Sequence, residues 1–379
     1  MPPKLGVLDF NPIQYHAPLY QRLAGRNNVE LDVLYLTDRG YRPSVDPGFG
    51  ATLSWDIDLL SGYSHSFLTA AENPPARVAS RIRTLRRWIR SQDAVVIHGY
   101  TNPWMLIAMM ACRVYKIPYL LRGDSRPDGQ ATGIRRSLRN GVVRIVVSNS
   151  AGCLAIGQLN ADFYRQYGAR RITFAPYSVD DKRFARPPDC RRSELLARWG
   201  LDDGKPVIMF CGKFYPGKRP LDLAAAIQLL TCEVTVLFVG DGVLADQIRA
   251  SLRPGHGVVT GFVNQAEIPS YYHAADILVL PSEAEKWGLV VNEAMAAGVL
   301  PVVSDRVGAA PDLVSGVGEI YHFGDVTGLA TALGRALARL NDPQTRDRVR
   351  RHVARYSLDH TAAGFEQAAV LRICPNDQV

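Results

Sequence analysis

The chain alternates short apolar runs with longer amphipathic runs, and this alternation predicts two series of strands and helices. In the first half the predicted strands are Leu5–Phe10, Val29–Leu36, Ala94–His98, Pro118–Leu121, Arg144–Val147 and Ile172–Ala175. The helices there include Leu19–Leu23, a segment beginning near Asn102, and Gly152–Tyr167. Continuous Val, Ile and Leu runs separated by helices are typical of parallel sheets covered on both faces, so we predict an α/β fold.

The second half repeats the pattern. Its predicted strands are Val207–Cys211, Val234–Val239, Val258–Thr260, Ile277–Leu280 and Leu300–Val303. Its predicted helices lie near 220–230, 243–252, 267–274, 289–297, 326–341 and 359–373. The segment Pro176–Asp180 is typical of a linker, so we expect domains over residues 1–178 and 179–357 and a C-terminal helix within 358–379. Such sheets bind ligands beyond the carboxyl ends of their strands, where we look for functional residues.

Composition indicates a globular protein with two hydrophobic cores. The 379 residues are 47% hydrophobic and 21% charged. No run approaches the roughly 18–20 apolar residues that span a bilayer, and the N-terminus lacks the apolar core of a signal peptide. The six cysteines form no CxxC pair, which disfavours a zinc site or a disulfide framework. We therefore expect a cytoplasmic protein.

The net charge of +8 lies entirely in the first half. Residues 1–180 contain 22 Lys and Arg against 13 Asp and Glu, whereas the remainder contains 22 against 23. The densest basic segment, 77–90, predicts an amphipathic helix with Arg77 at its start. Such a helix either covers the outside of a sheet or contacts an anionic surface, which allows peripheral association at the inner membrane face. No nucleic-acid motif accompanies the charge, so we expect no nucleic acid partner.

The most informative stretch, PSEAEKWGLVVNEAMAAGV, follows the predicted strand Ile277–Leu280. Glu285 lies in a loop, and Glu293 lies about one turn inside a helix that ends at Gly298. The free N–H groups at the start of that helix, together with its positive dipole end, suit a phosphate group. We expect both carboxylates and this helix end on the same side of a ligand site.

A second stretch, FCGKFYPGKRP, ends another predicted strand. It places Lys213 and Lys218 on either side of a Gly/Pro turn, and two cations at a strand end can bind a diphosphate. Many such loops are ordinary surface turns. Further strand-end turns follow in VGDG, which contains Asp241, and in TGFV, which contains Val263.

Together these segments resemble glycosyltransferase family 4. The two glutamates are similar to that family's paired-glutamate motif, and GKFYPGK is similar to its Gly-Arg-Leu…Lys loop. PYSVD, VGDG, TGFV and AADILVLPSEAEKWGLVVNEAMAAGVLPVV also match the family in order and spacing. The resemblance implies the GT-B fold, in which two Rossmann-like doubly wound domains face each other across a cleft. Residues 1–178 would bind the acceptor, 179–357 the nucleotide sugar, and the last helix would cross back to the first domain.

The resemblance also implies a donor site. Glu293 would bind the ribose hydroxyls, and Lys213 and Lys218 would bind the diphosphate, with Lys213 standing where the family usually has Arg. Glu285 would contact the sugar hydroxyls, and Val263 would lie against the base. The other expected donor-binding residues are Gly212, Asp241, Gly288, Leu289 and Val290.

The first half supplies the remaining expected site residues. His98 matches the histidine that the family places over the donor sugar, so the expected catalytic residues are His98, Glu285, Lys213 and Lys218. The turn FNPIQYH replaces the Gly-Gly turn of many members, and a backbone without Gly cannot approach a phosphate as freely. We therefore expect acceptor contacts from Asn11, Gln14, Tyr15, His16, Arg122 and Asp124.

The implied reaction moves a sugar from a nucleotide-diphosphate sugar to a small-molecule or glycan acceptor with retention of configuration. A UDP-sugar is the favoured donor and a GDP-sugar the next. The departing diphosphate can itself accept the acceptor's proton. The family generally needs no metal, and the cleft segments contain no Asp-x-Asp motif, so we expect no metal and no cofactor. Two alternatives share the fold, namely a nucleotide-sugar epimerase and a non-catalytic partner protein.

Overall fold

The computed structural model describes residues 2–46, 51–69, 78–127 and 134–373, which form two compact units. Unit 1 comprises Met1–Pro43, Asp58–Tyr177 and Leu358–Val379, and unit 2 comprises Ser44–Ile57 and Ser178–Ser357. The contacts thus group the last helix with unit 1. They also group 44–57 with unit 2, although the sequence analysis assigned this segment to the first domain.

The helices and strands are as follows in chain order. The strands are β1 (Lys4–Asp9), β2 (Glu30–Tyr35), β3 (Ser44–Asp46), β4 (Ala51–Leu53), β5 (Ser64–Phe67), β6 (Ala94–His98), β7 (Tyr119–Arg122), β8 (Gly152–Ala155), β9 (Ile172–Phe174), β10 (Val207–Cys211), β11 (Thr235–Val239), β12 (Gly257–Gly261), β13 (Ile277–Leu280), β14 (Leu300–Ser304) and β15 (Glu319–Tyr321). The helices are α1 (Ala17–Gly25), α2 (Val78–Arg90), α3 (Pro103–Val114), α4 (Ile134–Ser148), α5 (Gln158–Gln166), α6 (Asp181–Ala185), α7 (Arg192–Ala197), α8 (Pro220–Ala226), α9 (Ala245–Ser251), α10 (Ile268–Ala274), α11 (Leu289–Ala296), α12 (Val326–Arg339), α13 (Thr345–Val353) and α14 (Leu358–Ile373).

Unit 1 is built on a parallel sheet of seven strands in the order β5-β2-β1-β6-β7-β8-β9. Successive side chains of a strand point to opposite faces, so each strand contributes to two apolar clusters. Leu8 and Ile97 belong to one cluster, with residues of α2 to α5, and Val7 and Val96 belong to the other, with residues of α1 and α14. The predicted double covering of the sheet is confirmed for this unit.

The last helix, α14, packs against α1. Phe365 is fully buried in the cluster that α1 shares with the sheet. Arg22 Nε donates to Asp359 at 2.7 Å, and Arg26 Nε donates to Glu366 at 2.8 Å. The chain's final element therefore completes the core of the unit in which the chain begins.

Unit 2 is built on a second parallel sheet, with six strands in the order β12-β11-β10-β13-β14-β15. All four residues of β13 are buried, as are the five of β11 and of β14. Two parallel-sheet Rossmann-like units confirm the predicted α/β class. The short antiparallel pair β3–β4 was not predicted.

Two predicted elements of the first half are wrong. Arg144–Val147 lies in helix α4, where Val143, Val146 and Val147 are buried while Ile145 is exposed. Burial at spacings of three and four is helical, and the run of β-branched residues concealed it. The predicted helix Gly152–Tyr167 contains strand β8 before α5 begins at Gln158.

The predicted basic helix is confirmed over Val78–Arg90, and Arg77 lies outside the described residues. Leu85, Trp88 and Ile89 are its buried positions, and Trp88 Nε1 donates to Asp32 at 2.8 Å. This face covers the sheet, while Arg83, Arg86, Arg87 and Arg90 are exposed. Across the described ranges, no helix combines the length and apolarity that crossing a membrane requires.

Candidate functional site

Three strand-end turns of unit 2 are joined by backbone hydrogen bonds. The N–H of Gly212, after β10, donates to Val239 at 2.9 Å, and the N–H of Phe214 donates to Asp241 at 2.8 Å. The N–H of Gly240 donates to Gly261, at the end of β12, at 3.0 Å. The segments GKF, VGDG and TGFV of the sequence analysis therefore lie together at the carboxyl edge of the sheet.

The loop that carries Lys213 and Lys218 meets the loop that carries Glu285 at this edge. The N–H of Glu283 donates to the carbonyl of Gly217 at 2.9 Å, and the ammonium of Lys218 contacts the Glu285 carboxylate. Burial, together with the nearby charge of Lys213, lowers the pKa of Lys218 to about 8. A cation that releases its proton near neutral pH thus stands beside a carboxylate in front of α11.

The loop before α11 is held rigidly in place. The N–H of Gly308 donates to the backbone carbonyl of Glu285 at 2.8 Å, and Trp287 Nε1 donates to Oδ1 of the buried Asn292 at 2.8 Å. Gly288 precedes the helix with φ +100°, a conformation that favours glycine. The first N–H groups of α11 therefore have a fixed direction, as an anion-binding helix end requires.

Glu293 lies one turn inside α11 and is 2% exposed. The hydroxyl of Tyr272, on α10, donates to Glu293 Oε2 at 2.6 Å. Burial raises the pKa of Tyr272 well above its ordinary value, so the tyrosine keeps the proton that it donates. The carboxylate is thereby oriented before any ligand arrives.

The remaining predicted donor residues lie in the same part of unit 2. The Asp241 carboxylate accepts from the N–H of Gly242 at 2.8 Å and so shapes its own turn. Val263 follows the β12 end and is half-buried. Leu289 and Val290 form the first turn of α11, and both are half-buried.

Unit 1 carries a second polar cluster, at the end of β1 and the end of the neighbouring β6. Nδ1 of His16 lies 2.7 Å from the Asp9 carboxylate. The same carboxylate accepts from the Tyr20 hydroxyl and from the N–H of Phe10, each at 2.7 Å. The Tyr20 oxygen lies 3.3 Å from Nε2 of His98. The rings of His16 and His98 have centroids 4.7 Å apart.

The charges of this cluster follow from burial and pairing. Burial would raise the pKa of Asp9, but His16, His98 and the hydrogen bonds from His16 and Tyr20 hold that pKa well below its usual range. Burial lowers the pKa of His98 to about 3. The cluster therefore contains an ionised Asp9 and a neutral His98 at physiological pH.

Arg122 differs from the expectation that it contacts an acceptor. It is 1% exposed, and its guanidinium donates to the carbonyls of Ala175 at 2.6 Å and Pro176 at 3.3 Å. Its Cζ also lies 5.2 Å from the centre of the Tyr177 ring and 5.1 Å from that of Phe365. The side chain therefore holds the backbone at Ala175 and Pro176, and its charge is not presented at the surface.

The other predicted acceptor residues lie around the turn after β1 and after β7. Asn11 Nδ2 donates to its neighbour Pro12 at 3.1 Å, and Gln14 and Tyr15 are half-buried. Asp124, half-buried, follows β7 at the same sheet edge as His98. The structure thus gathers these residues near the Asp9 cluster.

Sequence reasoning missed Asp9, Tyr20 and Tyr272. Asp9 directly follows the apolar run of β1, so the strand-end criterion could have identified it. Tyr20 lies four residues after His16 on α1, which is a weaker signal. The partnership of Tyr272 with Glu293 depends on the packing of α10 against α11.

Comparison with known sequences identifies a related family. The family model described as "Glycosyl transferases group 1" matches residues 205–339. The 2-deoxystreptamine glucosyltransferase of Streptomyces kanamyceticus is 30% identical over 302 residues, covering 74% of this chain and 75% of that protein. The sulfoquinovosyl transferase SQD2 of Arabidopsis thaliana is 33% identical over 177 residues, covering 45% of this chain but only 33% of its own length.

Comparison with solved structures supports the GT-B fold. Anabaena HepE, crystallised in complex with UDP, has a TM-score of 0.70 at 17% identity, covering 95% of this chain and 97% of that chain. Sucrose-phosphate synthase from Thermosynechococcus elongatus has a TM-score of 0.67 at 17% identity, covering 96% and 98%. At these identities the likeness concerns the fold.

Proposed function

This chain belongs to the glycosyl transferases group 1 family, and from that premise we propose that it transfers a sugar from a nucleotide-diphosphate sugar to an acceptor nucleophile. A UDP-sugar is the favoured donor and a GDP-sugar the next. Transfer proceeds with retention of configuration and requires neither a metal nor a cofactor. The acceptor is a small molecule or a glycan.

One observation carries the proposal. Lys218 and Glu285 meet in front of the α11 N-terminus, with the buried Glu293 one turn behind them. Lys218 with Lys213 and the helix N–H groups can neutralise a diphosphate, and Glu293 can accept from two adjacent ribose hydroxyls. Glu285 can bind the sugar. A nucleotide sugar contains a diphosphate, a ribose and a sugar in one molecule, so it can bind the cations, Glu293 and Glu285 at the same time.

Donor binding is tested by thermal unfolding with UDP, GDP or ADP, for wild type and Glu293→Gln. A nucleotide at 100 times its Kd stabilises the protein by about 2.7 kcal/mol, which gives a clear shift. We expect UDP to give the largest shift in wild type and a much smaller one in the variant, because the amide accepts less well than the carboxylate.

The matched control is Glu233→Gln, which changes an exposed glutamate of unit 2 paired with Lys205. It should retain the full nucleotide shift. If no nucleotide stabilises wild type, or if Glu293→Gln responds like the control, the donor assignment is wrong.

Product analysis separates transfer from the two alternatives. The 2-deoxystreptamine glucosyltransferase suggests 2-deoxystreptamine as the first acceptor probe, and the structure of HepE in complex with UDP-glucose suggests UDP-glucose as the first donor probe. A transferase releases UDP in step with a glycosylated product whose anomeric configuration equals that of the donor. An epimerase changes the sugar without an acceptor, and a non-catalytic partner protein gives no product. Undiminished transfer in EDTA tests metal independence.

The location of the reaction is also proposed. Exposed arginines on α2, including Arg83 and Arg87, give unit 1 a basic surface. We infer a cytoplasmic enzyme that contacts an anionic membrane face through this surface.

A further inference from the structure

Three side chains of unit 2 form a chain of hydrogen bonds at the proposed donor site. We propose that this chain, Cys211–Tyr272–Glu293, makes the site selective for a ribonucleotide over a 2′-deoxyribonucleotide. Tyr272 is the positioning residue, because it acts through Glu293, and Cys211 acts through Tyr272. The inference rests on the proposed transferase function and adds to it a selectivity and the two residues that set that selectivity.

The hydroxyl of Tyr272, on α10, stands between a thiol and a carboxylate. It donates to Oε2 of Glu293 at 2.6 Å, and it is also hydrogen-bonded with the thiol of Cys211, the last residue of β10. A tyrosine hydroxyl has one proton, and the short contact with the carboxylate takes it. The thiol must therefore donate its S–H to the phenol oxygen, so both hydrogen bonds of the chain point toward Glu293.

Burial keeps the two protons of this chain in place. It raises the pKa of the Cys211 thiol to about 12, and it raises the pKa of Tyr272 well above its ordinary value. Both groups therefore stay protonated at physiological pH and act as donors. A hydrogen bond that ends on an ionised acceptor is roughly twice as strong as one between neutral groups, so the chain holds the carboxylate firmly.

Packing fixes the direction in which Tyr272 donates. Its side chain is fully buried, and the ring of Phe184, on α6, packs edge-on against it with the ring centroids 5.7 Å apart. The carbonyl of Phe184 accepts from Nε2 of His273 at 2.8 Å, which ties α6 to α10. The carboxylate is thus oriented by a residue that is itself locked by packing, as a preorganised binding site requires.

An oriented and buried carboxylate can distinguish a ribose from a 2′-deoxyribose. An ionised carboxylate accepts about four hydrogen bonds, so the one from Tyr272 does not compete with two from neighbouring ribose hydroxyls. Glu293 is 2% exposed, so water cannot readily replace a hydroxyl that the ligand lacks. A site built to bind a hydroxyl strongly rejects the analogue without it. We therefore expect 2′-deoxy-UDP to bind less tightly than UDP.

The first test is calorimetric titration with UDP and with 2′-deoxy-UDP. In wild type, 2′-deoxy-UDP should bind roughly 10- to 100-fold more weakly than UDP, which is the range for a hydrogen bond to a charged group. In Tyr272→Phe the ring keeps its packing while the carboxylate loses its fixed donor. UDP should then bind about tenfold more weakly, and the ratio between the two nucleotides should fall to about threefold or less. Cys211→Ala should lower the ratio in the same direction by a smaller factor.

The matched control is Tyr271→Phe, which removes a hydroxyl from the preceding residue of the same helix. The hydroxyl of Tyr271 is hydrogen-bonded with Trp199. This variant should keep both the affinity for UDP and the ratio between the two nucleotides. A merely structural role of Tyr272 would lower the thermal stability of Tyr272→Phe but leave its ratio at the wild-type value.

The second test needs no nucleotide. Denaturant unfolding compares wild type, Tyr272→Phe, Glu293→Ala and the double variant. If Tyr272 orients Glu293 in the free protein, the two substitutions remove the same hydrogen bond. The double variant should then lose less stability than the sum of the two single losses.

Each outcome decides a different claim. Equal binding of UDP and 2′-deoxy-UDP to wild type overturns the selectivity, whereas tight binding of UDP still supports the proposed function. An unchanged ratio in Tyr272→Phe, or additive losses in the unfolding comparison, overturns the role of Tyr272. Failure of wild type to bind UDP contradicts the proposed function and the selectivity together, and the unfolding comparison then decides whether Tyr272 orients Glu293.

Discussion

Lys218 is the residue of the proposed donor site whose charge should respond to pH just above neutrality. Its pKa of about 8 lies below the ordinary value for lysine because the side chain is buried. Below this pH the ammonium is present to bind a diphosphate. Above it, the free protein must first bind a proton, so the Kd for UDP should rise by up to about tenfold per pH unit. Calorimetric titration with UDP on both sides of pH 8 measures this rise.

Lys218→Arg is the matched variant for this prediction. A guanidinium remains charged throughout the range, so the variant should bind UDP with little dependence on pH. A wild-type affinity that is flat from neutral pH to well above 8 would contradict the role of Lys218 in binding the diphosphate.

Single site residues could be predicted where a buried apolar run stops. His98 is the last residue of β6, Lys213 comes two residues after β10, and Glu285 lies in the loop after β13. The sequence alone therefore identifies them as strand-end residues. The hydrogen bond from Tyr272 to Glu293 could not be predicted. It joins residues 21 positions apart on two helices, and its existence depends on how those helices pack.

At the scale of elements, the turn after β11 packs directly against the turn after β10. A Cβ at Gly240 would lie 1.9 Å from the carbonyl oxygen of Gly212, and the φ of Gly240 is +140°. Gly240→Ala should therefore lower the free energy of unfolding by about 2 kcal/mol or more and displace the loop that carries Lys213. Denaturant unfolding measures the first effect, and the thermal shift with UDP measures the second.

The control substitution is Gly334→Ala, in the interior of α12. A Cβ there meets no atom within 4 Å, and the position is exposed. Alanine in a helix interior is more stable than glycine by roughly 0.5–1 kcal/mol, so this variant should gain stability and keep its UDP response. Similar losses in both variants would mean that the packing of the two turns is not the cause.

Most elements could be predicted because their apolar periods are strong. The strands Ala94–His98, Val207–Cys211 and Ile277–Leu280 have their predicted bounds. The failure at α4 has a physical cause, since β-branched residues favour strands locally whereas the packing of Val143 and Val147 selects a helix. Local preference and tertiary packing compete most closely in such short runs.

At the scale of the whole molecule, the sequence predicted two Rossmann-like sheets but not which chain segments cooperate. Strand order brings Asp9 beside His98, although 89 positions separate them, because β1 pairs with β6. It also lets α14 complete the core around α1 through Phe365. Such long-range pairings leave no local pattern in a single sequence, so they become visible only in the folded chain.

The excess positive charge of the chain lies in its first half, and part of it forms an exposed surface on unit 1. The basic residues of α2, among them Arg83 and Arg87, are exposed, and α3 packs beside them with Met110 68% and Val114 73% exposed. Cations beside exposed apolar side chains suit an anionic lipid surface, where each cation contributes about 1 kcal/mol. We expect the protein to float with phosphatidylglycerol-containing vesicles at low ionic strength, and not with pure phosphatidylcholine.

The double variant Arg83→Glu/Arg87→Glu should weaken vesicle binding by roughly 30-fold or more, because it removes two favourable charges and adds two repulsive ones. The control Arg249→Glu/Arg253→Glu reverses two exposed arginines at the same spacing in unit 2 and should float like wild type. Added salt should release the wild type, since exposed charges are screened over about 10 Å at 0.1 M. If wild type does not float at low ionic strength, or if both double variants lose binding equally, the α2 surface is not a membrane contact and only covers the sheet.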